Sequence, residues 1–146
     1  LPLIFSCHPR TWQRIESSKQ LGNLKNVDSR IQIMKPLGFF DYTFLQLNSG
    51  CTISDSGTIT EEASILGFPA VTIRRSHERP EGMDEGSVVM CGEPKNLINS
   101  ILFKIQQFDK FGRGEIVPDY NVSQVSGKVA NIIMSYTDFV NRVVWS

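Results

Sequence analysis

The chain has 146 residues, enough for one domain with a hydrophobic core, and its 40% hydrophobic and 21% charged residues exclude a disordered chain. Its 15 basic and 15 acidic residues cancel to a net charge of +0, which excludes the broad positive field that nucleic acid or an anionic membrane requires. No apolar run approaches the ~20 residues of a membrane span.

The first predicted strand is the apolar run from Leu3 to Cys7, which is typical of a buried strand in a parallel sheet. The run starts without an initiator Met or a signal peptide, so we expect the chain to be part of a longer protein. Pro9 disfavours helical backbone at His8, which places the imidazole on the loop at the strand's carboxyl end. Ligands bind at this edge of open α/β sheets, so His8 is a candidate site residue, although a lone histidine is more often structural.

A second strand is predicted over residues 31–34, followed by a helix with Asp41 as its cap. The side chains expected to face inward from this helix are Tyr42, Phe44 and Leu45. Tyr42 lies in the first turn, where its ring could pack against a uracil base, although packing in the protein core is the commoner role. A third strand is predicted over residues 51–53.

The segment from Ser54 to Ala63 predicts a tight turn at Ser56 and Gly57 and then a short helix. A helix N-terminus presents unpaired N–H groups and about half a positive charge, which are the properties of a phosphate site. Glu62 lies about one and a half turns into the helix, within reach of a ribose hydroxyl beside that phosphate. An ordinary capped helix, with Asp55 or Ser56 as its cap, explains the segment equally well.

A fourth strand is predicted over residues 70–73, and the loop over residues 74–82 after it is dense in charge, Pro and Gly. Such loops are usually solvated. This loop leaves the strand that follows the candidate phosphate turn, so the planar guanidinium of Arg79 could reach the same anion. His8, the Ser56-Gly57 turn and Arg79 all follow predicted strands, whose carboxyl ends line one edge of a doubly wound sheet.

The remaining chain continues this alternation, with a strand over residues 87–90, a helix from residue 94 and a last helix within the segment 121–146. The alternation predicts one α/β domain with a Rossmann-like, doubly wound, mostly parallel sheet of about five strands. The expected inward face of the helix from residue 94 is Leu97, Ile98, Ile101, Leu102 and Ile105. The last helix carries apolar residues at helical spacing, namely Val122, Val125, Val129, Ile132, Ile133, Tyr136, Phe139, Val140, Val143 and Val144. We expect a bend at Thr137-Asp138 and docking of this stripe onto another domain or subunit.

The three cysteines, Cys7, Cys51 and Cys91, are widely spaced and form no CxxC pair. This pattern argues against a metal site or a disulfide framework and indicates small buried side chains in a reducing cytosol. We therefore predict a cytoplasmic protein with no metal and no cofactor.

Taken together, the motifs resemble the C-terminal domain of the non-hydrolysing UDP-N-acetylglucosamine 2-epimerase family, along essentially the whole chain. The motifs that carry the resemblance are His8-Pro9-Arg10, Tyr42, Asp55-Ser56-Gly57, Glu61-Glu62-Ala63, Leu66-Gly67-Phe68-Pro69 and Glu78-Arg79-Pro80-Glu81. The resemblance implies one half of a GT-B type fold, in which a UDP-sugar lies between two Rossmann-like domains. The N-terminal domain would then be absent from this chain.

The resemblance also implies a role for each matching residue. Ser56 and Gly57 would bind the diphosphate, Glu62 the ribose hydroxyls, and Arg79 a phosphate. Tyr42 matches an aromatic position beside the nucleoside. A further pair lies at the first strand, where His8 matches a catalytic histidine and Arg10 is its neighbour in substrate binding.

Two positions depart from the common family pattern. The family turn is usually Ser-Gly-Gly, but here it is Ser56-Gly57-Thr58, and Ser76-His77 replaces the usual Thr-Thr before the Glu-Arg-Pro-Glu motif. The stretches over residues 55–62, 77–83 and 135–145 look closer to one branch of the family, the UDP-N-acetyl-L-fucosamine synthases of capsule and O-antigen pathways. We therefore favour that branch over the N-acetylglucosamine enzymes.

The implied reaction inverts C2 of a UDP-N-acetylhexosamine by eliminating UDP and adding it back. In this family the catalytic carboxylates belong largely to the N-terminal domain, so the chain alone is predicted to be inactive. Its partners would be the UDP-sugar, the N-terminal domain and, as one arrangement, a second copy in a homodimer. Two alternatives remain open: a UDP-sugar-dependent GT-B glycosyltransferase, and a non-catalytic nucleotide-binding or interaction domain.

Overall fold

The computed structural model describes residues 2–17, 28–76 and 78–145. The chain divides into two compact units, Leu1–Asn48 and Ser49–Ser146. The described residues contain five strands, all in parallel pairings, with helices between them. The predicted α/β class is therefore present in both units.

The first unit contains two strands and two helices. Their bounds are β1 Leu3–Ser6, α1 Pro9–Ser17, β2 Ile31–Met34 and α2 Phe39–Leu47. Strands β1 and β2 pair in parallel, with Leu3 opposite Ile31. Pro9 is the first residue of α1, a position that suits its fixed φ and missing N–H. His8 consequently lies on the loop at the end of β1, as predicted.

Two details of the first unit differ from the sequence prediction. Strand β1 is not buried, since Leu3 is 51% exposed and Phe5 39% exposed. A continuous apolar run indicates that both faces of a strand can be covered, but not that they are covered within one chain. The cap of α2 is Gly38, with Asp41 inside the first turn, and Phe44 is 65% exposed rather than inward.

The second unit contains three strands, four α-helices and two short 3₁₀ turns among its described residues. The bounds are β3 Thr52–Ser54, α3 Ile59–Leu66, β4 Ala70–Thr72, α4 Glu81–Asp84, β5 Val88–Met90, a 3₁₀ turn Pro94–Asn96, α5 Leu97–Phe111, a 3₁₀ turn Pro118–Tyr120 and α6 Val125–Val143. The sheet order is β3-β4-β5, with all neighbours parallel.

Strand β4 is the centre of this sheet, and all three of its residues are buried. The core cluster joins the sheet to α3 and consists of Ile59, Ala63, Phe68, Ala70 and Val88. Helix α3 ends at Gly67, whose φ of 73° is the left-handed conformation that glycine adopts without steric cost. This packing fixes the start of α3 beside the carboxyl ends of β3 and β4.

The sequence predicts one sheet of about five strands, whereas the strands described here pair as a two-stranded and a three-stranded sheet. Hydrophobic runs identify strands but carry no information about which strand pairs with which. The inward face of α5 also differs, because Ile98 and Leu102 are 70% and 51% exposed while Lys104 is buried. The buried Lys104 Nζ donates hydrogen bonds to the Gly86 carbonyl and to Gln107 Oε1.

Helix α6 runs without interruption through Thr137 and Asp138, so the predicted bend is absent. Its apolar stripe is exposed, with Ile132 and Ile133 at 58% and 57%. Among the described residues, no helix is both long and apolar enough to cross a membrane.

Candidate functional site

The turn between β3 and α3 is held by side-chain hydroxyls. The Ser56 N–H donates to Ser54 Oγ at 3.0 Å, and the Thr58 N–H donates to Ser56 Oγ at 3.3 Å. Short polar side chains of this kind stabilise turns by bonding to the backbone two residues away. Thr58 is the residue before the helix, and no side chain caps α3, so the predicted caps Asp55 and Ser56 are not used in this way. The first N–H groups of α3 have no partners within the helix and form the positive end of its dipole.

Arg79 lies directly over this turn. A methyl group at Gly57 would be 2.7 Å from Arg79 Nη1, which is closer than real contacts allow. The constraint is the approach of the guanidinium, since Gly57 is not among the glycines with positive φ. Gly57 and Arg79 therefore form one unit, and the absence of a side chain at Gly57 gives Arg79 access to the start of α3.

The Arg79 guanidinium is oriented by Glu61, the third residue of α3. Arg79 Nε lies 2.6 Å from Glu61 Oε1, and the two side chains are 34% and 29% exposed. An arginine carries five N–H donors in a fixed plane. Glu61 engages Nε, and Nη1 is the terminal nitrogen that lies beside Gly57. A guanidinium oriented in this way can donate to an oxyanion at the start of α3.

Thr58 stands where the family turn usually has a second glycine. Its backbone is right-handed, with φ −71° and ψ −12°, so glycine is not required there. Its hydroxyl donates to Glu62 Oε1 at 2.7 Å and lies 2.9 Å from Ser56 Oγ. A hydroxyl has one proton, so Ser56 is the donor to Thr58. Thr58 thus connects Ser56, a predicted diphosphate ligand, with Glu62, the predicted ribose ligand.

Tyr120 supports the other end of the loop that carries Arg79. Its hydroxyl donates to Glu81 Oε1 at 2.6 Å. Burial, followed by the bond to Glu81 and the charges of Glu81 and Glu61, raises the pKa of Tyr120 above its usual value. The phenol therefore stays protonated and remains a donor to the first residue of α4, two positions after Arg79.

The other predicted residues belong to the first unit. His8 is exposed, and its Nδ1 accepts the Arg10 N–H at 3.2 Å. An accepting Nδ1 leaves Nε2 as the protonated nitrogen of the neutral ring. Arg10 is exposed in the first turn of α1, and Tyr42 is half-buried in the first turn of α2. Of the predicted set, the structure brings together Ser56, Gly57, Glu62 and Arg79 in the second unit, and His8 and Arg10 in the first.

The turn and Arg79 line a small cleft, and sequence reasoning missed two further residues that line it, Thr72 and Arg74. Thr72 is the last residue of β4, and Arg74 follows two residues later. Their position at a strand's carboxyl end was the available signal. Ser76 also lines the cleft, whereas His77 lies outside the described residues. Among the described residues no group of three or more His, Cys, Asp or Glu side chains could hold a metal ion.

Residues 1–134 match the family model described as UDP-N-acetylglucosamine 2-epimerase. The chain belongs to this family. It is similar to the UDP-N-acetylglucosamine 2-epimerases of Methanococcus maripaludis, at 37% identity over 68% of this chain and 27% of the relative, and of Campylobacter jejuni, at 32% over 73% and 28%. The chain thus spans about a quarter of the length of these curated relatives.

Solved structures of epimerases agree with this assignment. The Rickettsia bellii UDP-N-acetylglucosamine 2-epimerase superposes with a TM-score of 0.85 at 42% identity, covering 99% of this chain and 39% of that chain. The Methanocaldococcus jannaschii UDP-GlcNAc 2-epimerase, solved with UDP-GlcNAc and UDP, gives 0.78 at 27% identity, covering 92% and 36%. These epimerases have a GT-B-like fold, so the fold class predicted from sequence is confirmed.

Proposed function

We propose that this chain is the UDP-binding C-terminal domain, over residues 1–146, of a UDP-N-acetylhexosamine 2-epimerase. The observation that carries the proposal is the approach of Arg79 to Gly57 at the start of α3, in a member of the epimerase family. The helix start and the guanidinium would share the diphosphate. The Ser56 hydroxyl, which donates to Thr58 in this structure, would turn to the same anion when the ligand binds, and Glu62 would accept hydrogen bonds from the ribose.

The chemistry explains why the phosphate site matters. The C2 proton of an amino sugar is not acidic, because no carbonyl lies next to that carbon. Elimination of UDP across C1 and C2 gives a 2-acetamidoglycal, and re-addition of UDP with the opposite C2 configuration completes the epimerisation. Arg79 and the first N–H groups of α3 would stabilise the charge that develops on the leaving diphosphate. They would also retain UDP for the return step.

The first unit would supply the remaining contacts. Tyr42 would pack beside the nucleoside. His8 would present Nε2 to the sugar or its leaving group, because Nδ1 is engaged by the Arg10 N–H. Arg10 would contribute a nearby positive charge. No cofactor and no metal take part in this proposal.

The acid and base that exchange the C2 proton would belong to an N-terminal domain of a longer protein. The proposal is supported by the share of the relatives that this chain covers, about a quarter. We also propose that the stripe of α6 packs against that domain, with a homodimer contact as the alternative. A cytoplasmic setting fits a nucleotide-sugar substrate.

Solvent exchange at C2 tests the reaction. In D₂O without any acceptor, the longer protein should incorporate deuterium at C2 of the recovered UDP-sugar, as measured by mass spectrometry and NMR, while this chain alone should not. A glycosyltransferase would leave C2 unlabelled in both cases. Turnover by the isolated chain would refute the assignment of the acid and base to another domain.

The sugar itself is a finer proposal. On the resemblance of residues 55–62, 77–83 and 135–145 to one branch of the family, we propose UDP-2-acetamido-2,6-dideoxy-L-talose, with a product used in capsule or O-antigen synthesis. One similar relative, from Pseudomonas aeruginosa, is a UDP-2,3-diacetamido-2,3-dideoxy-D-glucuronate 2-epimerase, at 32% identity, which supports variation of the sugar among related proteins. Comparing kcat/KM of the longer protein for this UDP-sugar and for UDP-N-acetylglucosamine decides between the two substrates. A preference for UDP-N-acetylglucosamine refutes the finer proposal.

A further inference from the structure

A second guanidinium converges on the phosphate turn. Nη1 of Arg74 lies 3.1 Å from the position that a Cβ of Gly57 would occupy, and Nη1 of Arg79 lies 2.7 Å from the same point. These two distances place the nitrogens within about 6 Å of each other. Like charges at this separation repel one another. The pair is therefore arranged in a way that an anion between the two groups would stabilise.

The carboxylates around the cleft do not balance both charges equally. Glu61 is 2.6 Å from Arg79, whereas the carboxylate recorded near Arg74 is Glu78, at 4.0 Å. Glu78 is 74% exposed, and an exposed pair at this limiting distance contributes little. Arg74 therefore has a charge that the described part of the protein compensates only weakly, and its side chain is half-buried in the cleft.

Thr72 provides an independent observation in the same cleft. The residue is 5% exposed, and its Oγ1 has no hydrogen-bond partner among the groups that the structure describes. Leaving a buried hydroxyl unpaired is unfavourable, by about 1–3 kcal/mol. Thr72 lines the cleft, so a ligand oxygen that reached Oγ1 would satisfy it. Among the described residues, the cleft is thus lined by a Thr72 hydroxyl with no acceptor and by an Arg74 guanidinium whose ion pair is the exposed Glu78 at 4.0 Å.

We propose that Arg74 and Thr72 form a second half of the phosphate site, and bind phosphoryl oxygens of the nucleoside diphosphate opposite Arg79. The proposal rests on the proposed function, which places the diphosphate at Gly57. The two arginines would have different roles. Arg79 is held in place by Glu61 before the ligand binds, whereas Arg74 gains a close counter-charge only when the ligand is bound.

The test for Arg74 is a titration of the chain with UDP and with uridine, followed by NMR. Arg74→Gln should weaken UDP binding by roughly 10- to 100-fold, the range for a hydrogen bond to a charged group, and leave uridine binding unchanged. Arg75→Gln is the matched control, because it removes the same charge one residue away on an exposed side chain. Equal effects of Arg74→Gln and Arg75→Gln overturn the proposal.

Thr72→Val separates ligand binding from a structural role. The substitution keeps the shape and removes a hydroxyl without a recorded partner, so the unliganded protein should keep or raise its Tm. UDP binding should weaken by roughly 3- to 10-fold. A lower Tm with unchanged UDP binding refutes the role of Thr72.

One further variant distinguishes this proposal from the proposed function. Arg79→Gln should weaken UDP binding whether or not Arg74 contributes. If Arg79→Gln weakens binding and Arg74→Gln does not, the phosphate site stands and its second half is refuted. If the unmodified chain binds UDP no better than uridine up to the solubility limit, both proposals are refuted.

Discussion

At Gly57 the residue is dictated by space rather than by backbone conformation. A Cβ at Gly57 would lie 2.7 Å from Arg79 Nη1, and Glu61 in the first turn of α3 holds that guanidinium in place. Three residues with different chemistry therefore depend on one another. Sequence reasoning found Gly57 and Arg79 as separate signals, and only the structure identifies Glu61 as the group that orients the arginine.

Replacing Gly57 with Ala should displace Arg79 while leaving the fold intact, since the clash is with the end of a long side chain. We expect UDP affinity to fall by about tenfold or more, because a charged hydrogen bond is lost. Calorimetric titration of both forms measures the change. Gly127→Ala is the control, because nothing lies within 4 Å of that position and the change only favours helix α6. Unchanged affinity in Gly57→Ala would contradict the described approach.

Cys51 gives a pH-dependent prediction. Burial raises the pKa of its thiol from 9.0 to about 11, and the positive charge of Lys104 offsets this only in part. The folded state therefore retains a proton that the unfolded state releases, so the contribution to stability is present below pH 9 and is lost as the pH rises towards 11. At pH 9, iodoacetamide should modify Cys51 roughly tenfold or more slowly in the folded than in the unfolded protein, as peptide mapping would show. Equal rates would contradict it.

At the scale of elements, the start and end of α3 and the positions of the strands were predictable from sequence. Gly and Pro mark where those elements end, and short apolar runs mark the strands. The pairing of strands was not predictable, because a hydrophobic run does not indicate which other strand it pairs with. The inward face of α5 was also misjudged: Lys104 is buried through bonds to Gly86 and Gln107 that no periodicity indicates.

Two identical substitutions test this difference between elements. Ile59 is 1% exposed in the core between α3 and the sheet, whereas Ile98 is 70% exposed on α5. Ile59→Ala should lower the free energy of unfolding by about 2–5 kcal/mol, since it leaves a cavity. Ile98→Ala should change it by no more than about 0.5 kcal/mol. Denaturant titrations give both values, and a large loss in Ile98→Ala would place that side chain back in the core.

At the scale of the whole molecule, the main feature is the exposed apolar stripe of α6, with Ile132 and Ile133 at 58% and 57%. Large apolar stripes on a soluble surface usually mark an interaction site. The stripe was visible in the sequence, because its spacing is helical over the whole length of α6. Its exposure was not, since periodicity shows that a face is apolar but not what covers it.

The substitution Ile133→Ser tests the role of the stripe. Ile133 is 57% exposed, so Ile133→Ser should leave the Tm of this chain nearly unchanged. In the longer protein the same change should lower the Tm by several degrees, because the side chain would be buried against the partner domain. Met134→Ser is the control on the same helix, off the stripe, and should affect neither protein. Equal shifts for both variants in the longer protein would refute docking through the stripe.

The Thr58 hydroxyl has a consequence for how affinity is distributed along the nucleotide. The Thr58 hydroxyl is hydrogen-bonded to both Ser56 and Glu62. Binding of the phosphate end of the nucleotide should therefore be energetically coupled to binding of its ribose end. A double-mutant cycle of Ser56→Ala and Glu62→Gln on UDP affinity should be non-additive by about 0.5 kcal/mol or more, and should become additive in a Thr58→Val background. A nucleotide altered at its ribose would then also be bound less tightly through its diphosphate.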